Sequence, residues 1–176
     1  MRTRSLVIAL CSALWLSEGS ARAQGMFVAS IGNVFGGDTV STKGMYALAI
    51  GGMGLRGVGS ELEFSESRHF FDDSSPGGRG KFLTLMANVM VTVPVGPTRP
   101  YGVFGLGFIR QRRETSTEGI LENISDKDIG YDVGGGVIYK FASAVGVRAD
   151  LRHFKVRKSN GLSFNRFLVG VVLGGA

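Results

Sequence analysis

Between Leu83 and Val93 the odd positions are all apolar (Leu83, Leu85, Ala87, Val89, Val91 and Val93), while Thr84, Asn88 and Thr92 fall on even ones. A period of two belongs to a β-strand, whose successive side chains point to opposite faces. Pro94 and Pro100 bound a short turn and mark where a central ladder must end. The apolar row is as long as the ~9–11 residues a tilted strand needs to cross a bilayer. The same unit recurs along the chain, predicting strands over 26–35, 45–55, 58–67, 83–93, 101–110, 129–139, 145–154 and 166–174.

The connections between these segments alternate in length. Those at 37–43, 68–80, 111–127 and 155–165 are long and polar, with 111–127 the longest, whereas those at 56–57, 94–100 and 140–144 are short. Lipid offers no partners for an open sheet edge, so apolar-faced strands in a membrane must close on themselves. The expected fold is all-β, an eight-stranded antiparallel up-and-down transmembrane β-barrel. Short periplasmic turns and long external loops are the asymmetry of outer-membrane barrels, and an even strand number puts both termini on the periplasmic side.

Composition adjusts this picture at the N-terminus. Arg2 and Arg4 precede an apolar core from Leu6 to Leu16, and Ala21-Arg22-Ala23 is an A-x-A site. That is the layout of a secretory signal peptide, with cleavage expected before Gln24; residues 1–23 are the leader and 24–176 the barrel domain. The core is too short for a transmembrane helix, which needs ~20 residues. Cys11, the one cysteine, leaves with the leader, which removes disulfides and thiolate chemistry from the mature chain. A net charge of +6, reduced further when the leader goes, does not suggest nucleic acid behind a secretory signal. The 28 glycines follow no Gly-X-Y repeat and suit tight β-structure and turns.

Several segments carry a family resemblance: Pro100-Tyr101-Gly102-Val103-Phe104-Gly105-Leu106-Gly107-Phe108, Gly134-Gly135-Gly136-Val137, and the run from Val145 through Arg148-Ala149-Asp150-Leu151-Arg152 to Phe154. With them the chain resembles the small outer-membrane β-barrels of the OmpA/OmpX-like, porin-family type over essentially all of residues 24–176. The resemblance implies an integral protein of the bacterial outer membrane, inserted by the barrel-assembly machinery. It also implies a final aromatic residue for recognition by that machinery, where this chain ends Leu173-Gly174-Gly175-Ala176.

Candidate chemistry follows from the faces. An eight-stranded barrel is just wide enough inside for side chains to fill it. Strands three and seven lie across the lumen from one another, so their inward rows should meet. Glu61, Glu63, Arg148, Asp150 and Arg152, joined by Asp132, are expected to form a buried polar network, because unpaired buried charges cost several kcal/mol each. Such a network either plugs the lumen and fixes register or gates ions. A second cluster, Arg110, Arg112, Arg113, Lys155, Arg157, Lys158 and Arg166, falls at the external strand ends. Arg and Lys there suit the phosphates of lipopolysaccharide. Tyr46 and Tyr131 are expected at the external interface, Tyr101 and Tyr139 at the periplasmic one.

The two histidines, His69 and His153, show no His-x-Ser arrangement like that of lipid A deacylases. No catalytic residue, metal ligand or cofactor is expected. The leading expectation is a non-enzymatic envelope-structural barrel displaying surface loops, monomeric, with outer-membrane lipid as its surroundings and no identified extracellular ligand. A narrow passive channel, a lipid A-acting enzyme and a soluble ligand-binding barrel are the alternatives. The last needs a polar exterior, and strands four, seven and eight carry an apolar one.

Overall fold

The computed structural model describes residues 24–37, 42–54, 57–68, 80–117, 120–157 and 163–174, with the side chains of 24, 68, 80–81, 111–117 and 120–127 excepted. Eight strands follow one another: β1 (Gln24–Phe35), β2 (Lys43–Met53), β3 (Val58–Arg68), β4 (Gly80–Thr92), β5 (Thr98–Thr117), β6 (Ile120–Ala142), β7 (Val145–Val156) and β8 (Ser163–Gly174). Each pairs antiparallel with its neighbour in sequence, and β1 pairs with β8, closing the barrel. Closure gives every strand two partners, so no sheet edge is left to satisfy within the barrel wall.

Period-two patterning decides which face turns where. Leu85, Val89 and Val91 of β4, Phe104, Leu106 and Phe108 of β5, and Phe167, Val169, Val171 and Leu173 of β8 are exposed on the outer wall. An apolar outer wall is what lipid contact requires. The short β4–β5 turn is built by Val95 and Thr98, which exchange backbone hydrogen bonds of 2.8 and 3.1 Å around Gly96. Gly96 has φ 61°, a left-handed conformation that glycine adopts without strain.

The inner face is not polar throughout, contrary to the simplest reading of the pattern. Two apolar layers occupy it. At the long-connection end lie Val34, Met45, Phe82, Met86, Ile109, Phe154, Phe164 and their neighbours. Phe154 stacks on Phe164 with centroids 4.9 Å apart, and Phe82 meets Phe164 edge-on at 5.0 Å. At the short-turn end lie Met26, Met53, Met90, Val103, Ile138 and Val172, with Tyr101 among them. Phe82, Met86 and Met90 sit on the even, inward row of β4, where unbranched Met fills irregular gaps.

Every strand but β2 is longer than its alternation suggested, with consequences in β5, β6 and β8. Of the segment expected as the longest loop, residues 111–117 and 120–127 are instead a β-ribbon: β5 and β6 stay in register from Thr98↔Tyr139 to Thr117↔Ile120. Among the described residues, pairing of β5 with β4 stops at Gly80↔Arg113 and of β6 with β7 at Gly130↔Val156, so the ribbon's outer part pairs there only with itself. Polar residues hid it because a strand outside lipid needs no apolar face. Pro100 lies inside β5 rather than before it, near the strand's start, where its carbonyl accepts from Val93 N (3.0 Å) and Thr92 Oγ1 (2.9 Å). β8 begins at Ser163, which changes the place of Arg166.

Candidate functional site in the lumen

Between the two apolar layers runs a belt of charge. Glu61 and Glu63 come from β3, Asp132 from β6, Arg148, Asp150 and Arg152 from β7, and all are buried. Each strand brings them inward by parity: their sequence neighbours Leu62, Phe64, Val133 and Leu151 face out.

Arg152 stands where the carboxylates converge. Its Nε donates to Asp150 Oδ1 at 2.8 Å and its Nη2 to Glu61 Oε1 at 3.0 Å. Glu63 Oε2 lies 3.4 Å from Nη2, and Asp132 Oδ1 lies 3.6 Å from Nη1. Arg148 donates through Nη1 to Glu61 Oε2 and through Nη2 to Asp150 Oδ2 at 3.0 Å. Five planar donors let one guanidinium serve several acceptors at once, which a lysine could not do.

Arg166 belongs to this belt and not to the basic rim. It is fully buried, and its Nη1 and Nη2 make a bidentate pair with Glu63, the longer bond 2.9 Å. Its guanidinium carbon also lies 4.8 Å from the centroid of the Phe154 ring. The reason is parity: β8 starts early enough for Arg166 to share the inward row with Phe164 and Leu168. The outward row that identified this strand, Phe167 and Val169, already implied as much.

Tyr101 is likewise inside rather than in an interfacial girdle. Its hydroxyl donates to Asp150 Oδ2 at 2.5 Å and accepts from Arg148 Nε at 2.6 Å. Gly136 makes room for the ring, since a Cβ there would strike the Tyr101 phenol. Asn88, whose Nδ2 donates to Glu61 Oε1 at 3.0 Å, and the Ser65–Thr84 hydroxyl pair at 2.6 Å complete the polar row. Sequence reasoning assigned none of these a role, although all occupy inward positions of strands it had found.

The remaining rim residues separate. Lys155 and Arg157 are exposed at the long-connection end, and Arg110 is half-buried there. Arg112 and Arg113 hold backbone register with Lys81 and Gly80, but their side chains lie outside the described residues, as does Lys158 altogether. Tyr46 and Tyr139 are exposed on the outer wall, and Tyr131 stacks near Phe104 at 6.5 Å. His153 is on the outer wall too, its Nδ1 2.9 Å from Asn165 Oδ1; His69 and the leader lie outside the described residues. Among the described residues no group of His, Cys, Asp and Glu is arranged to hold a metal ion.

A closed eight-stranded barrel with an apolar wall and a filled, ion-paired lumen defines a small transmembrane β-barrel. The chain belongs to the outer membrane protein beta-barrel domain family, which it matches over residues 5–174. Neisserial surface protein A shares its fold with a TM-score of 0.67 at 14% identity, over 88% of this chain and 99% of that one. Ail, the attachment invasion locus protein of Yersinia pestis, follows at 0.62 and 14%, over 86% and 98%. The outer membrane enzyme PagL aligns at 0.50 and 12%, over 84% and 98%. At such identities the likeness is one of fold. No curated protein sequence matches the chain.

Proposed function

We propose that this chain is a non-enzymatic outer-membrane barrel, exported behind its N-terminal leader, that supports the envelope and meets other molecules through its long-connection end. The filled lumen carries this reading. A belt of ion-paired residues lies between two apolar layers, and apolar constrictions bar ions by excluding water. Charge here fixes the packing of a plug. Against catalysis stands His153, whose bonded partner is Asn165 and not a serine.

The long-connection end is the external one in this reading. Lys155 and Arg157 lie exposed there, and with Arg110 they offer cations at the height of lipopolysaccharide phosphates. The barrel-assembly machinery is its insertion partner, and the monomer its working form, since each strand is paired on both sides within the barrel wall.

The test is expression in a Gram-negative host. The outer-membrane fraction should give an unboiled band that migrates faster than the boiled one. The purified barrel should leave a planar bilayer silent, and the host's lipid A unchanged. Steady single-channel steps would replace this reading with a channel. Altered lipid A, lost on His69 or His153 substitution, would replace it with an enzyme.

A further inference from the structure

Glu61, Asn88, Gly105 and Asp132 form one row across β3, β4, β5 and β6, each the register partner of the next. Gly105 leaves the space above it free, and a Cβ there would meet both Asn88 Oδ1 and Asp132 Oδ2. Two acceptors therefore share that space. Asn88 Nδ2 is committed to Glu61 at 3.0 Å, which turns its Oδ1 toward Asp132. Turning the amide over would only move the conflict, placing an acceptor against Glu61 instead.

Neither Asn88 Oδ1 nor either oxygen of Asp132 has a hydrogen-bond partner, although Asn88 is 2% exposed and Asp132 0%. Arg152 Nη1, at 3.6 Å, is too far to donate to Asp132 and is itself unsatisfied. The groups around Asp132 are Glu61 and Glu63 from β3, Asn88 from β4, Arg148, Asp150 and Arg152 from β7, and Arg166 from β8. Among the described residues the belt sets four carboxylates against three guanidiniums. One positive charge is missing, and it is missing where three acceptor atoms stand unpaired. A buried carboxylate with no hydrogen bond and only a distant guanidinium partner is a costly arrangement.

We propose that the Asn88–Asp132 pair is a buried cation site filled by a proton: Asp132 carries it as a neutral carboxylic acid and donates it to Asn88 Oδ1. The proton satisfies both acceptors and makes the belt neutral. Asp132 then serves as a hydrogen-bond donor and is not a fourth salt-bridge partner. This stands on the lumen's geometry and is independent of any role at the surface.

Infrared spectroscopy of the full barrel, refolded in lipid at neutral pH, tests it. The wild type should show the carbonyl stretch of a protonated carboxylic acid, shifted in deuterium oxide and absent from Asp132→Asn. That variant, whose amide can donate in place of the proton, should resist heat at least as well as the wild type. Should Asp132→Asn fail to fold, Asn88→Leu takes its place: with the acceptor gone, the band should move to the frequency of a carbonyl whose hydroxyl is free. A wild type without the band overturns the proposal. So does stability that rises with sodium but not with a bulky organic cation, which would make a metal ion the occupant.

Discussion

Arg148 shows what one side chain does inside this barrel. It holds Glu61, Asp150 and Tyr101 together from the centre of the lumen. Arg148→Ala leaves two carboxylates short of a partner, and breaking a buried pair from one side costs ~3–5 kcal/mol. Urea unfolding of the refolded barrel should report a midpoint lowered accordingly, and an unmoved midpoint would mean that the belt contributes no stability. Tyr101→Phe is expected to cost less, about 1–3 kcal/mol, because it removes one hydroxyl while the ions remain paired. The order Arg148→Ala worse than Tyr101→Phe is the checkable part. Alternation along β3 and β7 made Glu61, Glu63, Arg148, Asp150 and Arg152 legible as inward residues before any coordinate. Tyr101 and Arg166 were misplaced for one shared reason: residues near a strand's start were assigned by nearness to the membrane boundary, not by the strand's own parity.

At the level of elements, sequence periodicity located strands by their lipid-facing rows and so saw only as far as lipid extends. All eight strands were legible on that basis, and so was the alternation of short turns with long polar excursions, although the excursion between β5 and β6 is paired strand and not loop. The outer parts of β5 and β6 were not, because Gln111 to Lys127 has no apolar row to betray its pairing. Nor were the apolar layers inside, since Phe82, Met86 and Met90 alternate with still more apolar residues facing out. A sheet apolar on both faces shows no contrast. The ribbon yields a prediction. Among the described residues its register beyond Arg113 engages neither β4 nor β7, so it should add nothing to closure. Replacing residues 114–123 with a two-residue Asn-Gly turn, closed on the Arg113↔Ile124 pair, should preserve the fast-migrating unboiled band and the urea midpoint. Loss of that band would mean that the ribbon is needed for the barrel to assemble.

For the molecule as a whole, the question is whether charge or bulk keeps the lumen shut. If the Arg148–Glu61 pair were a gate, neutralising it should open the barrel. The layering argues otherwise, because removing that pair leaves Met53, Met90 and Ile138 on one side and Phe82, Phe154 and Phe164 on the other. On the proposed reading either layer alone suffices to hold water out. Arg148→Met combined with Glu61→Gln keeps side-chain volume near the original while cancelling both charges, and should therefore stay silent in a planar bilayer. Phe82→Ala with Phe164→Ala widens one layer only and should stay silent as well. Conductance is expected only when the charge change, the Phe pair and Met90→Ala are combined, so that belt and both layers are thinned together. Single-channel recording of the three proteins decides the matter: channel steps from the charge-neutral variant alone would make the belt a gate, whereas steps confined to the combined variant make it one section of a three-part plug.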